Sequence, residues 1–425
     1  MKSARASFAM PAAPFKTSEH ARVLIVVAPL KHLKIVDMST VLMGPYATQL
    51  LGDLGADVIK VEPPEGDTVR GIGPARNAGM GGIFLQVNRG KRSIVLDLKQ
   101  DEGRAALLKL IEDADLFVYN MRPQVMARLR LSYEDVAAVN LRVVYAGLFG
   151  YGQDGPYAAR PAYDDLIQGI TSLPTLYVAA GANSPRYVPL AMADRIVGLY
   201  AVGAMLAAVM HSQRTGEGQR LDVPMFETMA GFVLGDHMGG RVFEPDEGEV
   251  GYQRLLSKDR RPYPTKDGYV CAVIYNDRQW RRFFEAFGLG DIMKTDPRFA
   301  SITTRTQHID DIYAMVADLM LQRTTAECTA LLDAADIPVA PLQTVDQLVD
   351  DPHLSAKGFY VDMNHPSEGH LKLPGIAAQF SATKAEIGRP APRLGEQSRE
   401  ILKAAGYSDE AADRLFNSGI SVEPR

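Results

Sequence analysis

The chain has 425 residues, 46% of them hydrophobic, with 46 Lys and Arg against 51 Asp and Glu for a net charge of −5. That length can bury a large core and suits two domains, and the slight acidity without a basic block argues against nucleic acid as the main partner. Two cysteines, Cys271 and Cys328, and eight histidines without an HExxH-type spacing exclude a disulfide framework and a zinc site, so no metal and a reducing, cytoplasmic setting are expected.

Residues 1–28 read as an N-terminal extension: they carry no acid before Glu19 and lack an apolar core followed by a cleavage pattern. The folded part is expected to begin near Pro29. Leu33 to Met38 alternates as a strand, Gly44-Pro45 make a turn, Tyr46 to Leu54 form a helix closed by Gly55, and Asp57 to Glu62 form a second strand. This βαβ unit would place a ligand at the C-terminal edge of a parallel sheet. Glu62 stands where a ribose-binding acid of a dinucleotide site would stand. The first turn, however, supplies only Gly44 before Pro45, so the GxGxxG loop is missing and NAD is disfavoured.

Strands are predicted at Ser93 to Leu98, Leu116 to Asn120 and Val143 to Gly147, with a helix over Glu102 to Ala114 and short helical pieces at Met126 to Leu131 and Tyr133 to Val139. The alternation predicts an α/β domain with right-handed crossovers. Arg89, Lys91, Arg92, Lys99, Arg122 and Arg128 fall beside the predicted strand ends, where several cations at one sheet edge would suit a polyphosphate ligand.

Tyr163-Asp164-Asp165 precedes the apolar run Leu166 to Leu173, which Asp164 could cap. Further on, Asp194 opens a run through Met210 in which Ile196, Val197, Leu199, Tyr200, Val202, Met205, Leu206 and Val209 leave no polar face, predicting a buried helix. Its uncharged part, Ile196 to Met210, is shorter than the roughly 20 residues that span a bilayer, so no membrane segment is expected. At a helix N-terminus Asp194 is either an N-cap or a carboxylate kept ionised for chemistry. With Asp164 it could form an acid–base or nucleophilic pair, and the spacing does not separate these options. There is no GxSxG, and neither cysteine has a matching histidine pattern.

Gly218 to Val223 reads as a strand and Met225 to Val233 as a helix, followed by an acidic, Gly-rich linker or loop from Gly235 to Gly251. A second, smaller domain is expected over 252–345, with a strand at Val270 to Ile274 and helices at Asp277 to Phe287, Thr303 to Leu321 and Thr325 to Ala335. The tail from Asp351 mixes short strands with helices at Glu396 to Ala405 and Ser408 to Asn417.

Several motifs stand in a particular order: Gly44-Pro45, Leu54 to Glu62, Gly66-Asp67 with Arg70, Asn88 to Ile94, Tyr163-Asp164 with Gln168, and Ala193-Asp194. They continue with Arg214 to Gln219, Tyr263 to Gly268, Asp351-Pro-His353 and Ala391 to Glu396. From about Pro29 to Gly419 the chain thereby resembles the type III CoA-transferases, a family that includes formyl-CoA and carnitine CoA-transferases and the related alpha-methylacyl-CoA racemases. The resemblance implies an α/β fold. A Rossmann-like large domain would be formed by residues 29–222 and 346–425, with a smaller α+β domain, 252–345, inserted after a linker over 223–251. It also implies an interlocked homodimer. Asp194 would be the catalytic carboxylate, carrying first an acyl group as a mixed anhydride and then CoA as a thioester, with Asp164 as a possible second carboxylate. CoA contacts would fall on Leu42, Met43, Leu96, Asp97, Leu98, Lys99, Asn120, Met121, Arg122 and Arg128, with Tyr163 near the pantetheine end. Acyl-CoA and a small carboxylic acid would be substrates, with no permanently bound cofactor.

Three departures stand out: Pro63 replaces a basic residue common after the second strand, Leu42 stands where some transferases have Gln, and no glycine-rich flap is evident between Gly251 and Pro262. Racemases of the family place a His directly before the residue equivalent to Asp164. Tyr163 stands there in this chain and is a poorer proton shuttle at neutral pH, which favours transfer over racemisation. A non-catalytic CoA-binding protein is the alternative outside enzymology, and it should tolerate loss of Asp194.

Overall fold

Short strands rich in Val and Ile alternate with helices through the first half of the chain. In the computed structural model, which describes residues 28–424, they align as one six-stranded parallel sheet. The elements in order are β1 (Lys34–Asp37), α1 (Met43–Asp53), β2 (Asp57–Glu62), α2 (Gly82–Val87), β3 (Arg92–Val95), α3 (Asp101–Ile111), β4 (Leu116–Tyr119) and α4 (Pro123–Arg128). They continue with α5 (Tyr133–Ala137), β5 (Val144–Phe149), α6 (Asp164–Ile170), α7 (Leu173–Ala179), α8 (Met192–Thr215), β6 (Gln219–Pro224) and α9 (Met225–His237). The strand order is β3-β2-β1-β4-β5-β6, parallel throughout. The chain winds outward from β1 to β3 and then returns past β1 to β4. The order thus reverses between β1 and β4, and loops leaving their C-terminal ends diverge to open a crevice.

Both faces of the sheet are covered, which is why its strands read as almost continuous apolar runs. Ile35, Leu116, Val118 and Val144 face a core shared with α1 and α8. Val36, Phe117, Tyr119 and Tyr145 face the opposite core, which includes Leu107 and Ile111 of α3. The end of the chain returns to this second core: helices Ser398–Ala404 and Asp409–Asn417 bury Ile401, Leu402, Ala412 and Leu415 there. At the edge strand β3 the Ser93 N–H donates to the Gln397 side-chain oxygen (2.9 Å) and the Ser93 carbonyl accepts the Gln397 N–H (3.0 Å).

Between 252 and 345 a separate aromatic core forms around Trp280, Phe283, Phe284 and Phe299. It backs a three-stranded antiparallel sheet made of Tyr263–Pro264, Tyr269–Ala272 and Val339–Pro341. The helix expected over Thr303 to Leu321 is two helices, Ile302–Gln307 and Ile309–Leu321, broken at His308.

The all-apolar helix departs from expectation. It runs 24 residues, long and apolar enough by composition to cross a membrane, yet it lies along the outside of the α/β layer. Only one stripe meets the core: Val197, Ala201 and Met205 are fully buried, while Leu199, Tyr200 and Met210 are 55%, 60% and 69% exposed. A Cβ at Gly198 would lie 3.0 Å from the Met43 carbonyl oxygen and from the Tyr46 ring, so this glycine allows α8 to approach the start of α1 closely. The N-termini of α1 and α8 are thereby neighbours.

Candidate active site

Three segments converge where the sheet order reverses. The turn after β1 delivers Thr40 to Leu42 and the first turn of α1. The residue after β4 is Asn120, whose side-chain oxygen accepts the Thr40 N–H (3.0 Å) and whose amide donates to the Thr40 carbonyl (2.8 Å). Beyond β5, the chain to α6 brings Tyr163. Together Thr40, Val41, Asn120, Met121, Arg122 and Tyr163 line part of a cavity of about 450 Å³.

Asp194 is the third residue of α8, and its side chain does not cap that helix. Asp164, the first residue of α6, does the capping from 30 positions away: one oxygen accepts the Asp194 N–H (2.9 Å) and the other accepts the Gln168 side-chain amide (2.6 Å). Gln168 is itself fully buried, donates to the Leu190 carbonyl (3.2 Å) and accepts the Val188 N–H (2.9 Å), tying the approach to α8 onto α6. Asp164 therefore does not cap the apolar run that follows it, which is split into α6 and α7 at Ser172, a residue with φ of 68°. Relieved of capping, the half-buried Asp194 carboxylate makes no hydrogen bond to any described residue. Arg195, beside it, lies 4.3 Å above the Tyr46 ring.

A helix N-terminus would by itself keep Asp194 ionised, but two effects oppose it. Burial, reinforced by the neighbouring Asp164 charge, pushes the Asp194 carboxyl up to about 7, and Arg195 only partly counteracts this. The N–H groups of α8 are also largely engaged: Met192 donates to the Leu190 carbonyl, Asp194 to Asp164 and Arg195 to the Ala191 carbonyl. Free donors lie instead on α1, where the N–H groups of Leu42, Met43 and Gly44 have no acceptor among the described residues.

The other expected site residues divide into two groups. Leu42 and Met43 sit buried at the start of α1, and Asn120, Met121, Arg122 and Tyr163 line the cavity. Leu96 to Lys99 follow the edge strand β3, two strands from β1, and do not line it. Leu96 is core, the Asp97 N–H donates to the Ile420 carbonyl and its carboxylate accepts the Lys99 N–H, Leu98 is half-buried, and Lys99 is exposed. Arg128 ends α4 and is exposed.

The expected six-cation edge is corrected to three. Arg89 is paired with Asp53 (2.7 Å), Lys91 with Asp37 (2.8 Å), and Arg92 with Asp57 and Glu400 (2.6 and 3.0 Å). Arg89 and Lys91 are drawn into the core, where a cation must be paired, and Arg92 is held at the sheet edge by two carboxylates, so all three are taken up within the fold. Lys99, Arg122 and Arg128 have no ion-pair partner among the described residues; of these only Arg122 lines the cavity, where Arg160, also without an ion-pair partner, joins it. Two groups of residues escaped the sequence reading: Arg160, and the charged residues Asp37, Lys60 and Asp67 behind the β1 turn, all buried. A signal was available for the latter, because Asp37 and Lys60 stand beside Val and Ile in short strands and Asp67 falls in one of the ordered motifs.

A doubly covered parallel sheet, with a carboxylate free of hydrogen bonds at the start of α8 and unpaired N–H donors at the start of the neighbouring α1, is an α/β enzyme architecture suited to acyl transfer. Comparison with known proteins makes the class specific. The sequence model of CoA-transferase family III matches residues 30–398, and the chain belongs to this family; it is a CoA-transferase. It is 31% identical over 383 residues to a succinate–glutarate CoA-transferase of Agrobacterium fabrum, covering 88% of this chain and 95% of that protein. An acyl-CoA transferase of Fusarium pseudograminearum is 33% identical, covering 92% and 88% respectively. Among solved structures, a CaiB/BaiF family protein from Brucella suis superposes with a TM-score of 0.74 at 30% identity, covering 89% of this chain and all of that one.

Proposed function

We propose that the enzyme moves CoA from an acyl-CoA to a free carboxylic acid through covalent intermediates on Asp194. The observation that carries this reading is the Asp194 carboxylate itself, at a helix start whose backbone Asp164 caps, yet free of hydrogen bonds to any described residue. In the first step a carboxylate oxygen attacks the thioester carbonyl carbon and the C–S bond breaks, leaving a mixed anhydride and CoA thiolate. The thiolate then attacks the Asp194 carbonyl, expelling the donor acid and leaving an aspartyl-CoA thioester. The acceptor carboxylate attacks that thioester, forming a second anhydride, and the thiolate finally takes the acceptor acyl group and frees Asp194. One thioester is exchanged for another, so the sequence is nearly thermoneutral and needs no ATP. Protection of the intermediates from water is required instead.

The N–H groups of Leu42, Met43 and Gly44, at the start of the helix that neighbours α8, serve as donors for the developing oxyanion. Lys99, Arg122 and Arg128 supply charge for the CoA phosphates, and Asn120, Met121 and Tyr163 line the path of the pantetheine arm. The name of the bacterial relative pairs succinate with glutarate. Small dicarboxylates therefore lead the acceptor candidates here.

The reading includes a Rossmann-like large domain of residues 29–222 and 346–425 around an inserted domain, 252–345, and an interlocked cytoplasmic homodimer. The apolar side chains left bare along α6, α8 and α9, including Leu166, Leu199, Tyr200, Met210 and Phe232, support the dimer.

The test incubates the protein with succinyl-, acetyl- and formyl-CoA against glutarate, oxalate and mesaconate, and follows new thioesters by mass spectrometry. Transfer that disappears in Asp194→Ala, with CoA binding retained, is the expected result. Near-normal transfer by Asp194→Ala, or exchange only of the proton alpha to the thioester, would refute the proposal.

A further inference from the structure

The turn between β1 and α1 holds Val41 at a φ of 70°, a left-handed geometry that a β-branched residue adopts only when its surroundings impose it. Those surroundings are charged and buried. Both Asp67 oxygens accept the Val41 N–H (3.1 and 3.2 Å), and Asp67 is paired with the Lys60 ammonium (2.9 Å), each side chain fully shielded from solvent. Lys60 donates in addition to the Ser39 carbonyl (3.0 Å). Asp37 accepts the Ser39 N–H (2.9 Å) and hydroxyl, the Thr48 hydroxyl (2.6 Å) and the Lys91 ammonium (2.8 Å). Lys91 donates onward to the Pro45 carbonyl (2.9 Å) and the Asn88 side chain (3.0 Å). Burial would raise the Asp37 carboxyl, but Lys91 and Lys60 hold it down at about 2, so the array stays charged on that side.

Every member grips residues 39–45 from the core side. Within the same stretch the N–H groups from Leu42 to Gly44 are left without an acceptor among the described residues, and Val41, just before them, lines the cavity. Stability alone does not call for such an array, because an apolar pair of similar volume commonly serves a core as well as or better than a buried ion pair.

We propose that the Asp67–Lys60 pair, backed by Asp37 and Lys91, is a positioning device: it fixes the Val41 turn and thereby aims the Leu42 and Met43 N–H groups at the thioester oxygen. The inference rests on Asp194 being the attacking group. Donors held rigid before reaction need no reorganisation as the oxyanion forms.

The test is the double substitution Lys60→Met with Asp67→Leu, which removes both charges and orphans neither. It is assayed with the donor and acid that turn over fastest in the panel above. The expected result is a folded protein with CoA affinity, by calorimetry, within about threefold of the parent and kcat lower by about a hundredfold, the scale of a lost oxyanion donor. Adding Val41→Gly should recover about tenfold of that loss, because glycine holds a positive φ unaided. A folded double variant with kcat within about threefold of the parent, or a loss that Val41→Gly leaves unchanged, overturns the proposal. Should the double variant not fold, Asp67→Asn is judged by the same two numbers, and failure of both to fold assigns the array to stability and overturns it as well. Asp194→Ala, run in parallel, separates the two readings. If it retains transfer, the attacking group is wrong; if it is inactive while the double variant turns over normally, only the positioning role fails.

Discussion

Substituting Asp164 by asparagine tests how the site sets the charge of Asp194. The Asp194 carboxyl sits at about 7 for two reasons, burial first and the Asp164 charge second. At that value roughly half the sites are ionised at pH 7, about a tenth at pH 6 and about nine-tenths at pH 8. Because only the carboxylate attacks, kcat/KM should rise about tenfold from pH 6 to pH 8 in the parent enzyme. The Asp164→Asn side chain keeps an oxygen to accept the Asp194 N–H but removes the charge, so the Asp194 carboxyl falls while burial still holds it above the ordinary carboxylate range. The acid limb of the profile should move to lower pH, and the ratio between pH 8 and pH 6 should shrink well below tenfold. Weakening the cap on α8 costs on the order of 1 kcal/mol, small enough to leave the protein folded at 25 °C. A parent profile flat from pH 5 to 8, or an acid limb that stays put in Asp164→Asn, would refute the reasoning.

Asp194→Asn should stabilise the protein, with a defined sign. The folded pKa of Asp194 lies above the unfolded value, so the folded state binds the proton more tightly and stability falls as pH rises from about 4 to about 7. Thermal unfolding should therefore show the Asp194→Asn variant gaining more at pH 8 than at pH 5, by roughly 1–3 kcal/mol after allowance for partial exposure; equal gains would contradict this. Arg122→Ala and Arg128→Ala should each weaken CoA binding by about tenfold in calorimetry while changing the affinity for pantetheine little, as expected of lost charge-assisted phosphate contacts. Leu199→Glu with Tyr200→Glu on the bare face of α8 should halve the mass seen by light scattering and abolish transfer; an unchanged mass would place the subunit contact elsewhere.

Local pattern was enough to find the strands of the parallel sheet, because the alternation at 33–38, the Val- and Ile-rich stretch at 57–62 and the punctuation at Gly55 are short-range signals. It also brought Asp194 to a helix start. What it could not decide was which carboxylate caps that helix, since the answer lies 30 residues upstream in Asp164. The same limit applies to the cations. Nothing local distinguishes Arg89 from Arg122, yet Asp53 neutralises the first and leaves the second open. The apolar circumference of α8 was legible, but a helix apolar all round is written the same way whether neighbouring elements or another molecule covers it, and Leu199 and Tyr200 show that within this chain the cover is partial. The β1 turn was read only through its glycine and proline. Its strain at Val41 depends on Asp67, which becomes a neighbour only after β2 has paired with β1.

The contact between Ser93 and Gln397 bears on the life of the chain before it is complete. β3 is an outermost strand, and an outer strand with bare amides is a template on which other chains can pair and aggregate. Here that rim is shielded by Gln397, far downstream in the sequence. Until Gln397 has been made the rim stays uncovered, and closing it draws together parts of the chain some three hundred residues apart, an entropic cost of roughly 5 kcal/mol. The segment around Gln397 thus acts as a built-in guard of solubility, and a product that stops short of it would leave the sheet open to self-association.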